Sequence, residues 1–252
     1  MPVLEVKDLS IHFGGLKAVD AFDITIHDNE LVGLIGPNGA GKTTVFNMLT
    51  GVYIPTEGTI HLNSQLTNGK KPNEIVMLGS SRTFQNIRLF KNMTVLENIK
   101  VAYHNHMNYN IFDSIFKTKR YRSEEEKADQ VSFDLLKVFE LEGYADELAM
   151  NLPYGKQRKL EIARALATQP KILLLDEPAA GMNPQETDEL METIKLIKDR
   201  FEISVLLIEH DMKLVMGICE RIVVIDYGKI IAKGTPTEIR KNPDVIKAYL
   251  GE

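Results

Sequence analysis

A single cysteine, Cys219, stands in 252 residues, so the chain can form no internal disulfide, and one thiol fits a reducing compartment. It falls in the apolar pattern Leu214, Val215, Ile218, Cys219, which reads as a small core residue rather than a reactive thiol. Long apolar runs are lacking too. None approaches the ~20 residues a membrane span needs, and the opening Met1-Pro2-Val3-Leu4-Glu5 shows no signal-peptide pattern. A cytosolic chain is the expectation, with any membrane role reached through a partner. Positive charge is in short supply: 30 Lys and Arg face 35 Asp and Glu, for a net charge of -5. That balance gives no reason to expect a nucleic-acid partner. No internal repeat, no long coiled-coil insert and no Asn-Lys-x-Asp guanine-reading motif occurs. The length suits one large domain or two lobes with ample core.

What is present centres on Gly36-Pro37-Asn38-Gly39-Ala40-Gly41-Lys42-Thr43-Thr44. The apolar run Leu31 to Ile35 precedes it, and Val45 to Thr50, a helical stretch, follows. This is G-x-x-x-x-G-K-[ST] in strand–turn–helix context. Glycines let backbone N–H groups approach a polyphosphate with no Cβ in the way, and a helix N-terminus adds partial positive charge. Lys42 can reach the β- and γ-phosphates, and the Thr43 hydroxyl can ligate Mg²⁺. A glycine turn with a solvated lysine is the plainer reading. Chance would match the four fixed positions in about one chain in a hundred of this length, and the context lowers that further. The stretch binds a nucleoside triphosphate.

Taken in order, residues 3–13 alternate as a half-buried strand, broken at Gly14-Gly15, and Phe22, Ile24 and Ile26 alternate likewise. Residues 63–74 are polar and read as loop, with helical periodicity around 74–78. From about 86 to 151 the composition changes. Met93 to Ile99 looks helical, and His104 to Asn110 holds no clear period. The cluster Lys117, Lys119, Arg120, Arg122 reads as a solvated face. Ser123 and Glu126 make a capping box that predicts a helix start. From 171 the text turns α/β. Ile172 to Leu175 and Ser204 to Ile208 are continuous apolar runs, as buried parallel strands should be, with an amphipathic helix over Pro184 to Arg200 between them. Thr235-Pro236-Thr237-Glu238 starts a helix with Pro at its first position and a capping Glu.

Three strand ends carry further chemistry. Asp176 closes one buried strand, at the edge where open α/β sheets place function, and can hold Mg²⁺. Glu177 is the group to orient or deprotonate an attacking water. His210, after the next strand, could touch a γ-phosphate and share hydrogen bonds with Glu177. Gln85, ending Thr83-Phe84, could reach Mg²⁺ or the water. An acidic turn and two unremarkable strand ends are the competing readings.

The order of phosphate loop, Gln85, Leu152-Pro153-Tyr154-Gly155-Lys156-Gln157, Asp176-Glu177 and His210 resembles that of ABC-transporter ATP-binding subunits over nearly the whole chain. Phe13-Gly14-Gly15-Leu16-Lys17-Ala18-Val19, Arg82 to Asn86, Leu160 to Leu166, Pro178 to Pro184 and Glu209 to Met212 look most like the LivG-type subunits of branched-chain amino acid importers. The resemblance implies an α/β fold: a RecA-like P-loop NTPase core with an antiparallel β subdomain and an inserted helical subdomain. Residues 1–88 and 152–252 would form the core and 89–151 the insert, with the loop and helix 152–168 at its edge. It implies ATP hydrolysis with Mg²⁺, for import of branched-chain or related amino acids. A lipopolysaccharide exporter or a soluble ABC ATPase is the alternative. Phe13 would stack on adenine beside Val19, and Asn183, where most relatives have Asp, would touch a second subunit. Gly155 and Gln157 would complete the ATP site of that subunit, a paralogue or another copy, in a head-to-tail dimer. Integral-membrane permease subunits would hold the assembly at the cytoplasmic face of the membrane. Pro153 and Tyr154 depart from the Leu-Ser-Gly-Gly-Gln expected there.

Overall fold

The computed structural model describes residues 2–250, which divide into two compact units, one of the residues up to 85 and from 170 on, the other 86–169. The first is built on two sheets. Strands β1 (Pro2–Phe13), β2 (Leu16–His27), β4 (Glu57–Leu62) and β5 (Gln65–Leu66) form an antiparallel sheet in the order β2-β1-β4-β5. Strands β3 (Leu31–Ile35), β6 (Ser80–Arg82), β7 (Ile172–Asp176), β8 (Ser204–Ile208), β9 (Arg221–Asp226) and β10 (Lys229–Gly234) form the second. Its order is β10-β9-β3-β8-β7-β6, parallel except for the β9–β10 hairpin. Every residue of β3, β7 and β8 is buried, as expected of parallel strands covered on both faces. Val6, Ile24, Ile60, Leu34, Phe46, Leu174 and Val223 share one core that unites the two sheets.

Helices α1 (Lys42–Leu49), α2 (Pro72–Met77), α7 (Pro184–Phe201), α8 (Met212–Ile218), α9 (Pro236–Lys241) and α10 (Pro243–Leu250) complete this unit. The Thr235–Glu238 capping box forms as the sequence predicts, and Asn183 with Glu186 caps α7 in the same way. Residues 63–74 are not wholly loop. They hold β5, paired with β4, and the start of α2, whose Pro72 stands at a helix entry where its missing N–H costs nothing.

The second unit contains α3 (Val95–Tyr103), α4 (Ile111–Phe116), α5 (Lys119–Val138) and α6 (Tyr154–Leu166). Helix α6 packs on α3 and α5 within it. Asn98, fully buried, fixes the chain leading into α3: its carbonyl accepts from Phe90 N–H, and its amide donates to Phe90 O and Thr94 O. The capping box expected at Ser123–Glu126 is not used. Thr118 caps α5 five residues earlier by accepting from Tyr121 N–H, so Ser123 lies inside the helix. Helix α6 begins at Tyr154, with Pro153 as N-cap.

Candidate active site

Neighbouring strands β3, β8, β7 and β6 run parallel, so their C-terminal ends lie side by side along one edge. Those ends deliver the phosphate loop, His210, Asp176 with Glu177, and Gln85 respectively. Open α/β sheets bind ligands at this edge. A cleft of about 380 Å³ opens here, with residues 38–44 on one side and Glu177 and His210 on another.

The phosphate loop is shaped by glycine where no other residue fits. At Gly36 (φ 154°) a Cβ would run into the Ile225 carbonyl, and at Gly41 (φ 109°) it would lie 2.7 Å from Ala18 O. Gly41 is the N-cap of α1, makes no side-chain cap, and is followed by no acidic residue in the first turn. The first N–H groups of α1 are therefore left to a ligand, and an anion suits them. The Lys42 ammonium donates to Gly36 O and Pro37 O, both at 2.8 Å. Burial pushes its pKa down, against the opposing pull of the Glu177 and Asp176 carboxylates. A desolvated cation held beside its own loop is ready to exchange those carbonyls for phosphate oxygens.

Glu177 sits between two partners. Its Oε2 accepts from Gln85 Nε2 at 2.6 Å, and its Oε1 lies 2.8 Å from His210 Nε2. Its backbone is left-handed (φ 47°), and its N–H donates to Ile208 O. A glutamate in that region stores strain of roughly 1–3 kcal/mol, a cost that clusters at functional sites. Gln85, Glu177 and His210, singled out separately from sequence, form one hydrogen-bonded group.

Two further residues belong to this edge and were not singled out from sequence. Arg82 donates from Nη2 to Asp176 Oδ2 at 2.6 Å and from Nη1 to Asn47 Oδ1 at 2.8 Å, with its guanidinium over the Phe46 and Phe84 rings. Glu209 is buried, and its carboxylate gathers three backbone N–H groups, from Ala179, His210 and Asp211. It thereby ties the loop after Glu177 to the loop that carries His210. The signal for Glu209 was its place at a strand end beside His210; Arg82 left none in the local pattern.

Leu16, Lys17, Ala18, Tyr227 and Gly228 also line the cleft, and Gly228 N–H donates to Ala40 O to seat the hairpin against the loop. Val19 is fully buried against the Gly41 turn. Phe13 is half-exposed, its ring edge-on to Tyr53 at 5.4 Å, and does not line this cleft. Gly155 and Gln157 lie in the first turn of α6, in the second unit, where Gln157 Nε2 donates to Leu152 O.

For Mg²⁺, the donors present are hard oxygens. Thr43 is exposed at the start of α1, and the buried Asp176 carboxylate stands at the strand end nearby. No cluster of three or more His, Cys, Asp and Glu that could hold a metal occurs among the described residues. That donor set suits Mg²⁺, which is bound by one or two protein oxygens with substrate phosphates and water supplying the rest.

Residues 19–180 match the family described as ABC transporter, and residues 229–252 match that described as branched-chain amino acid ATP-binding cassette transporter. The chain is 51% identical over 251 residues to the high-affinity branched-chain amino acid transport ATP-binding protein BraF of Pseudomonas aeruginosa, covering 100% of this chain and 98% of that protein. It is 52% identical over 252 residues to LivG of Escherichia coli (strain K12), a protein of the same description, at the same coverage. Among solved structures, the ADP conformation of an ATP-binding cassette of an ABC transporter matches with a TM-score of 0.86 and 32% identity, over 100% of both chains.

Proposed function

The chain belongs to the ABC-transporter ATP-binding subunits, a family of ATPases, and on that premise we propose that it energises import of branched-chain or related amino acids. The observation that carries the catalytic reading is Glu177 held between Gln85 and His210 beside the phosphate loop. In that place Glu177 takes the proton of the water that attacks the γ-phosphate. His210 and Gln85 orient the carboxylate and the water, and His210 also reaches the γ-phosphate. Residues 36–44 cradle the phosphates: the α1 N–H groups and Lys42 offset their charge. Thr43 and Asp176 would hold Mg²⁺, with Gln85 at its edge, and the ion when bound supplies further charge neutralisation at the β- and γ-oxygens. Phe13 and Val19 are proposed for the adenine end.

Pairing with a second ATP-binding subunit, head to tail, would bring Gly155 and Gln157 of one copy to the nucleotide of the other. Permease subunits would hold the pair at the cytoplasmic face of the membrane. No described helix is long and apolar enough to cross a membrane. The likeness of residues 229–252 to the branched-chain family favours that cargo over lipopolysaccharide. Glu177→Gln tests the base: the amide keeps the shape and cannot accept the proton. Steady-state hydrolysis should fall by more than a hundredfold with ATP binding intact, and turnover within tenfold of wild type would remove Glu177 from that role.

A further inference from the structure

Helix α4 presents an apolar face that nothing in its unit covers. Ile111, Phe112, Ile115 and Phe116 are each between 67% and 77% exposed. At about 100° per residue these four positions fall within an arc of about 140°, and Asp113 and Ser114 take the opposite side. The polar side is turned into the fold. Asp113 accepts from Asn110 N–H and from the Thr118 hydroxyl, the residue that caps α5. One carboxylate thus staples the start of α4 to the start of α5 and leaves the apolar face outward.

Positive charge follows at once. Lys117, Lys119, Arg120 and Arg122 are all exposed, and none forms an ion pair among the described residues. With Asp113 they give residues 111–122 a net charge of +3 (four cations less one carboxylate), in a chain of net charge -5. Of the acidic run just beyond, Glu124 accepts from Asn108 N–H, and Glu125 pairs with Lys100 and accepts from the Tyr109 hydroxyl, while Glu126 is exposed. The Tyr109 ring packs edge-on against His104 and Tyr121. These contacts anchor the α4–α5 turn at its base.

We propose that α4 and the four cations after it form a lipid-facing patch, through which this chain touches the anionic surface of the bilayer directly. Phe and Ile side chains on one side with Lys and Arg beside them is the chemistry of an interfacial segment: the apolar side chains enter the headgroup boundary and the cations meet lipid phosphates. A protein groove would have to desolvate four unpaired cations or match each with a carboxylate. An anionic lipid surface accepts both groups with no shape to match. The patch lies in the second unit and uses no residue of the ATPase site, so its test stands apart from that of the catalytic reading.

The test is co-sedimentation of the full chain with vesicles of phosphatidylethanolamine and phosphatidylglycerol, against vesicles of phosphatidylcholine alone. Wild type should partition onto the anionic vesicles roughly a hundredfold better or more, and less as salt rises. Phe112→Ser with Phe116→Ser should lower that partition roughly tenfold, and Lys119→Ser with Arg120→Ser roughly twenty-fivefold, since each cation near such a surface contributes about fivefold. Unchanged basal ATPase activity would show both variants folded. No preference for anionic vesicles, or one that neither variant alters, would overturn the proposal. So would variants that bind vesicles normally and fail only to assemble with permease subunits in detergent, which would make the patch a protein-docking surface.

Discussion

At the scale of single residues, Arg82 shows how far apart in sequence a site's parts can lie. It stands 94 positions before Asp176, and both side chains are almost wholly buried. A buried pair broken on one side leaves an uncompensated charge, at a cost of roughly 3–5 kcal/mol. Arg82→Ala should therefore lower stability in urea by about that amount, and adding Asp176→Asn should recover part of the loss. If the single variant were as stable as wild type, the pair would have no structural role. The same pairing also explains what was and was not legible at this scale. Gly36, Lys42, Asp176, Glu177 and His210 announce themselves because each stands in a short local pattern, a loop motif or a strand end. Arg82 sits in a three-residue strand whose alternation says nothing about a partner on β7. Glu209 stands at a strand end, but its role is not legible there, since its partners are backbone N–H groups.

Elements were legible where they end in strong local signals. The wholly buried β7 and β8, α7 with its Pro184 start and α9 with its capping box lie within a residue or so of where the pattern puts them. The second unit was less so. Ser123–Glu126 satisfies the capping-box pattern, yet Thr118 wins because Asp113 also bonds its hydroxyl and fixes the turn there. Helix α4 was missed because six residues, four of them apolar and outward, offer no buried stripe to read. The entry to α6 bears on function. Pro153 is its N-cap and makes no side-chain cap bond, and it lacks both the hydroxyl and the N–H that a serine would offer a phosphate. One charge-assisted hydrogen bond to phosphate is worth roughly 1.5–3 kcal/mol. Pro153→Ser with Tyr154→Gly should thus raise the ATPase activity of the isolated chain about tenfold, and strengthen its ATP-dependent dimer. No gain in either would mean the departure is energetically neutral.

For the molecule as a whole, the backbone passes between the two units at residues 85–86 and 169–170. Gln85, whose amide holds Glu177, is thus the last residue before one crossing. On the role proposed for Glu177, a change at the γ-phosphate that shifted it would reach Gln85 through their hydrogen bond. Gln85→Ala should leave ATP affinity nearly unchanged, and in a reconstituted transporter reduce substrate-stimulated ATPase more than basal ATPase. Equal losses would confine Gln85 to the chemistry. Such motions are best followed with a reporter, and here the burial of Cys219 acquires a practical meaning. Its sulfur lies close over Gly33, and burial pushes the thiol pKa up to about 12, so almost no thiolate exists at neutral pH. The folded chain should be silent to a thiol reagent and show its one thiol only after denaturation; rapid labelling of the native chain would contradict the burial. A cysteine introduced at Tyr154 or Phe116 could then carry a single dye with no background, and the wild-type chain would serve as its own blank.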